Sequence, residues 1–174
     1  MGTLKGTEFQ KVMYEGYGPG GTAVVVACMT DNRNRTVDDL RSAFTRHGGN
    51  LGADGSVSYL FNEVGVLRFP RGAGRTAIRE AAFQAGAEDV IVNPDGSVDV
   101  LTDPNEFTQV KAVLEQGGLL AETAGVTLRS SVNTTLDEKA AVALVKLLET
   151  LEDLDDVQNV YSNADIPAAI LARL

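Results

Sequence analysis

Cys28 and His47 are the only cysteine and the only histidine among the 174 residues, so a nucleophile–base pair has a single possible composition. Cys28 sits inside the apolar run Val24–Met29, where a cysteine behaves as a small buried hydrophobe. A zinc site built on this pair would lack two ligands. No catalytic residue, metal or cofactor is expected, and the chain reads as non-enzymatic. Gly16-x-Gly18-x-x-Gly21 matches the dinucleotide fingerprint by its letters, but that fingerprint follows a strand and opens a helix. Here a strand follows, and Pro19 removes an N–H that a phosphate nest would use. A tight, φ-positive connection between two strands explains the glycines better. Tyr17 at the tip of that connection is left free to stack or dock.

The cations carry more information. Arg33 and Arg35 read as part of the loop into a helix, and Arg41 and Arg46 follow within that helix. Free N–H groups and the helix dipole favour anions at such an entrance, and guanidinium forks suit phosphate or carboxylate. Asp31, Asp38 and Asp39 stand close by in sequence and offer local salt bridges instead. Two readings follow: an anion or nucleic-acid contact, or a loop pinned by its own ion pairs. The candidate contact set is Arg33, Arg35, Arg41 and Arg46 with Tyr17, Gly18, Gly20 and Gly21. The acidic run Glu152-Asp153-Leu154-Asp155-Asp156 reads as a solvated loop face, without the spacing of a calcium loop.

The elements that position these residues are marked by caps and periodicity. Thr36-Val37-Asp38-Asp39 resembles a capping box, with Val37, Leu40 and Phe44 on one face and Gly48-Gly49 as the stop. Residues 76–85 predict a shorter helix stopped by Gly86. Asp103-Pro104-Asn105-Glu106 opens a third helix, and Thr135-Leu136-Asp137-Glu138 a fourth, with Ala141, Leu144, Leu147, Leu148 and Leu151 inward. Val24–Met29 reads as a central buried strand. Val57–Phe61 and Gly65–Phe69 read as strands around a turn at Asn62-Glu63. Asp89–Val92 and Val98–Leu101 flank Asn93-Pro94-Asp95-Gly96, a hairpin signal. Val126–Ser130 and Val157–Tyr161 complete the strands.

From residue 65 to about 131 the order is β-α-β-β-α-β, a ferredoxin-like unit. Residues 22–61 supply β-α-β and residues 135–163 supply α-β, most of a second such unit. The expectation is an α+β chain of two ferredoxin-like units, one inserted into the other: a discontinuous domain of residues 8–63 plus 132–174, and an inserted domain of residues 64–131. The crossings near Asn62–Gly65 and Ser130–Thr135 would form a paired hinge.

Composition bounds the function. The net charge is −9 but it is uneven: residues 1–75 carry nine Lys/Arg against seven Asp/Glu, and residues 76–174 carry six against seventeen. Bulk charge does not favour nucleic acid, so any such contact needs a local patch, and the first half holds the candidate. No apolar run reaches the ~20 residues of a membrane helix, the first residues have no signal-peptide core, and a single cysteine forms no internal disulfide. A cytoplasmic location and no membrane partner are expected.

The motifs Tyr14–Gly21 (YEGYGPGG), Asp31–Thr36 (DNRNRT), Gly48–Gly52 (GGNLG), Asp54–Phe61 (DGSVSYLF), Gly86–Asp89 and Leu151–Tyr161 together resemble the YebC family. That family includes PmpR-type regulators and the mitochondrial translational activator of cytochrome c oxidase subunit I. The resemblance spans nearly the whole chain in the right order. It implies a regulator of gene expression, either a DNA-binding transcriptional regulator or a ribosome-associated factor that helps translation of proline-rich stretches. Its partner would be nucleic acid, DNA or ribosomal RNA, and its location cytoplasmic, or mitochondrial for a eukaryotic source. Members open with a basic helical domain beginning with a Gly-His-Ser-Lys-Trp-Ala-Asn-like motif, which this chain lacks. The resemblance therefore implies a fragment holding the second and third domains, separated from the domain that would supply much of the nucleic-acid affinity. A different class of function, amino-acid sensing between paired ferredoxin-like units, stands as the alternative and rests on fold analogy.

Overall fold

Gln10–Tyr17 (β1) and Ala23–Thr30 (β2) pair antiparallel in register from Gln10 opposite Thr30 to Tyr17 opposite Ala23. The period of two puts Val24, Val26 and Cys28 on the core face, packed with Leu40, Phe44, Leu144, Leu147 and Leu151. The computed structural model describes residues 8–174, and the chain divides into two compact units: one runs to Phe61 and resumes at Ser130–Leu174, the other is Asn62–Arg129.

In the first unit, helix α1 (Arg33–Arg46) and the short strand β3 (Asn50–Leu51) follow β2. After the second unit come β8 (Thr134–Thr135), α4 (Glu138–Glu152), β9 (Val157–Ser162), β10 (Ala164–Asp165) and α5 (Ala168–Leu171). The main sheet has the order β3-β1-β2-β9, with each of these pairings antiparallel, and β8 pairs parallel with β10. Asp137 caps α4 by accepting the Ala140 N–H at 2.8 Å. Leu144, Leu147 and Leu151 of α4 are fully buried, so truncating any one to alanine costs about 2–5 kcal/mol.

The second unit contains β4 (Phe61–Phe69), α2 (Arg75–Ala85), β5 (Asp89–Val92), β6 (Val98–Thr102), α3 (Phe107–Gln116) and β7 (Thr123–Ser130). This is the expected β-α-β-β-α-β order, with strands arranged β5-β6-β4-β7. Its core joins Leu67, Phe69, Val98 and Val100 to Ile78, Ala82, Val110 and Leu114. Arg68 and Asp99 stand opposite each other in register. The guanidinium holds the buried carboxylate through bonds of 2.8 and 3.0 Å.

The fold is α+β, and the two sheets share a logic. In each, the strand before the first helix lies between the final strand and a partner that also holds the strand after that helix. In the first unit that partner is β1, which comes ahead of the rest in sequence. It is the strand missing from the sequence-based count.

Three boundaries differ from expectation. Helix α4 opens at Glu138 rather than at Thr135, because Thr135 pairs in β8 and Asp137 is the cap. Helix α1 starts at Arg33, because Asn32 is its cap and accepts the Arg35 N–H at 3.1 Å. Thr36 is therefore a buried first-turn residue and opens no capping box. The expected strand Val57–Phe61 and its turn at Asn62-Glu63 are not formed: Ser58–Leu60 is a 3-10 turn and β4 runs unbroken from Phe61. The cause is Glu15, whose carboxylate takes the N–H groups of Gly55, Val57 and Ser58 at 2.7, 2.9 and 2.6 Å. Donors bound to a side chain are not available to a strand ladder.

Candidate nucleic-acid interface

The entrance of α1 is a bonded network. Thr30 Oγ1, at the end of β2, accepts the Asn32 N–H at 3.0 Å. The buried Thr36 hydroxyl lies 2.8 Å from both Thr30 Oγ1 and Asp156 Oδ2. Arg35 closes the arrangement, donating from Nη2 to Asp31 Oδ1 at 2.9 Å and to Asp156 Oδ1 at 3.0 Å, with Nε 3.3 Å from Asp156 Oδ2. Burial works to raise the Asp156 pKa, yet the Arg35 and Thr36 hydrogen bonds hold it below the ordinary carboxylate value. Asp156 is thus a structural ligand, and the acidic run it ends is not wholly a solvated face.

The four arginines part company on this geometry. Arg35 is pinned between two carboxylates, as the salt-bridge reading allowed. Arg33 is exposed in a groove shared with Thr30, Asp31, Asn32, Asn34 and Arg35. Arg41 and Arg46 border a second, shallow groove with Asp38, Ser42 and Thr45. Within it Arg41 lies 3.6 Å from the exposed Asp38, and Arg46 donates to Ser42 Oγ at 3.4 Å.

The glycine connection lies elsewhere. Tyr17 pairs with Asn50, beyond the C-terminal end of α1, whereas Arg33 opens the helix. At 1.5 Å per residue these ends are about 20 Å apart, so the connection and Arg33 do not form one continuous patch. Pro19–Gly21 is a single 3-10 turn. Gly18 is buried and its N–H donates to Thr22 O at 2.8 Å. Gly20 has φ +75°, and a Cβ there would lie 2.5 Å from Leu136 Cδ2, so the turn is seated on the start of α4. Gly21 faces open space. The Tyr17 hydroxyl donates to Ser56 O at 3.2 Å while the side chain stays partly exposed.

Glu15 went unnoticed in the sequence. It is 6% exposed, and burial would raise its pKa, but three backbone N–H bonds hold it below the ordinary 4.5. The available signal was an acidic residue inside a strand on the side of the buried Val25, its register partner. Cys28 is buried, and burial with the nearby Asp156 charge pushes its thiol up to about 11. His47 Nε2 lies 3.0 Å from Thr150 Oγ1, at the end of α1 remote from Cys28. Among the described residues no cluster of three or more His, Cys, Asp or Glu side chains could hold a metal ion, and no helix is long and apolar enough to cross a membrane.

Comparison with known proteins is consistent with this architecture. A family model described as the TACO1/YebC second and third domain matches residues 9–164. A probable transcriptional regulatory protein of Methylococcus capsulatus is 57% identical over 173 residues, covering 99% of this chain and 70% of the relative. A protein of the same description from Thioalkalivibrio sulfidiphilus is 52% identical with the same coverage. The crystal structure of a conserved hypothetical protein from Aquifex aeolicus superposes with a TM-score of 0.82 at 45% identity, over 95% of this chain and 69% of that one. On sequence and fold together, the chain belongs to the TACO1/YebC family.

Proposed function

We propose that this chain is a non-enzymatic regulator of gene expression that works by contacting nucleic acid through α1. The observation that carries the reading is the division of labour among the arginines. Arg35 is spent on Asp31 and Asp156 and fixes the helix entrance, which leaves Arg33 and Arg46 exposed without an ion pair among the described residues, and Arg41 exposed in a solvent-facing pair with Asp38 that a phosphate can replace. Guanidinium groups on a fixed helix lose little freedom on binding a phosphate backbone. The similarity to proteins named probable transcriptional regulatory proteins supports DNA as the partner; the family resemblance supports ribosomal RNA equally. The buried Cys28 and the Thr150-bound His47 support the non-enzymatic reading.

Ultraviolet crosslinking of the protein in cells, followed by sequencing of the attached nucleic acid, tests this. Recovery of promoter DNA or of ribosomal RNA, reduced by R33A/R41A/R46A, is the expected result. Recovery of neither contradicts the reading.

A further inference from the structure

Three arginines outside α1 line one side of the Asn62–Arg129 unit. Arg71 lies in the connection between β4 and α2, and Arg75 and Arg79 are one turn apart on α2. All three are exposed, and among the described residues none forms an ion pair. Arg75 borders two clefts. The first, of about 650 Å³, lies between the Arg71–Arg75 segment and the Pro94–Gly96 turn. The second runs past Thr76 and Arg79 to Val90 and Val92 of β5.

The first cleft is not neutralised from within. Its one carboxylate, Asp95, is turned into its own hairpin, accepting the Ser97 N–H at 2.9 Å and the Ser97 hydroxyl at 2.6 Å. Gly96 seats the Arg71 stem, since a Cβ there would lie 3.0 Å from Arg71 Cγ. One further turn along α2 comes Phe83, 46% exposed, with the Arg79 guanidinium 6.0 Å from its ring centroid. Arg75, Arg79 and Phe83 thus follow at four-residue steps on one helix face, about 6 Å apart along the axis. The single acidic residue of α2, Glu80, is offset from that row by about 100°.

Residues 62–129 carry six Lys/Arg against ten Asp/Glu, so an unpaired cationic row stands out on an acidic body. A row of separated guanidinium groups fits a flexible polyanion better than a single ion. An exposed ring at its end fits an unstacked base. We infer that the Arg71–Arg75–Arg79–Phe83 row binds single-stranded nucleic acid, the arginines on successive phosphates and Phe83 stacked on a base. This surface is in a different unit from the α1 arginines and stands or falls without them.

The test is fluorescence anisotropy of the chain with a labelled single-stranded RNA of mixed sequence, the matching single-stranded DNA, and the duplex, across a salt series. R71A/R75A/R79A should weaken single-strand binding about tenfold or more at low salt. It should also flatten the slope of log K against log salt by about 2, at about 0.7 per lost phosphate contact. Phe83→Ala should weaken single-strand binding about fivefold or more with the slope retained. The R71K/R75K/R79K protein should keep most of the slope. Unchanged affinity and slope in the folded triple-alanine protein, stronger binding to duplex than to single strand, or no single-strand binding by the wild-type chain would each overturn the inference. Loss confined to R33A/R41A/R46A would also overturn it while leaving the α1 reading intact.

Discussion

Arg35 and Asp156 are 121 positions apart in sequence and meet in a two-pronged ion pair, with Nη2 3.0 Å from Oδ1 and Nε 3.3 Å from Oδ2. The pair fastens the start of α1 to the loop between α4 and β9. It joins the Asp31–Thr36 motif to Asp156, in the middle of the Leu151–Tyr161 motif, so two of the sequence features on which the family resemblance rests meet in one bonded cluster.

Within the cluster Asp156 is the more buried partner, its side chain 12% exposed against 45% for Arg35, and it also receives the buried Thr36 hydroxyl. Asp156→Ala should therefore destabilise the chain more than Arg35→Ala. Thr36→Val, which strands polar partners in a buried place, should cost about 1–3 kcal/mol. Urea denaturation of the three variants gives the ranking, and equal midpoints for Asp156→Ala and wild type would contradict it.

Glu15 should be as consequential. Glu15→Gln keeps the shape but faces an NH2 toward a backbone N–H, leaving at least one buried donor unpaired at a cost of about 1–3 kcal/mol. Amide hydrogen exchange would reveal the damage locally, as faster exchange at Gly55, Val57 and Ser58. Protection unchanged at all three would show that the carboxylate does not hold this segment.

The same groups set the acid limb of stability. Glu15, Asp99 and Asp156 are all held below their ordinary values of 4.5, 3.8 and 3.8. The unfolded chain therefore binds protons first as pH falls. The stability these carboxylates contribute is full above about pH 5 and is lost progressively as pH drops through their lower folded values. Urea midpoints measured between neutral pH and the acid range should fall, and Glu15→Gln should make the fall shallower.

Cys28 should be chemically quiet. With the thiol pushed up to about 11 and the side chain buried, native protein at pH 8 should react with iodoacetamide far more slowly than the urea-unfolded chain. Equal rates, followed by mass spectrometry, would show that Cys28 is accessible as a thiolate.

Much of this was legible in the sequence where local chemistry decides. The Asn93-Pro94-Asp95-Gly96 hairpin, the Gly86 stop and the leucine face of α4 all depend on neighbours within a few residues. The misread segments depend on distant partners. Thr36 looks like a helix cap until Asn32 is seen to cap, with Thr36 instead bonded to Thr30 and Asp156. Val57–Phe61 has the alternation of a strand, but Glu15, some 40 positions away, claims its N–H groups. The arginine set could be named from composition, but only the fold separates Arg35, held by the distant Asp156 as well as by Asp31, from Arg33 and Arg46, and from Arg41 with its exposed local pair to Asp38. Arg71, Arg75 and Arg79 escaped notice because a Gly-rich loop and an α2 face contribute to the row together.

The central claim is that α1 presents cations to nucleic acid. The most direct measurement is the salt dependence of duplex DNA and ribosomal RNA binding by the chain and by its folded R33A/R41A/R46A variant. The account predicts that the variant binds at least one of them more weakly, with a slope of log K against log salt shallower by about 2–3 for duplex DNA. Identical affinities and slopes for both ligands would contradict it.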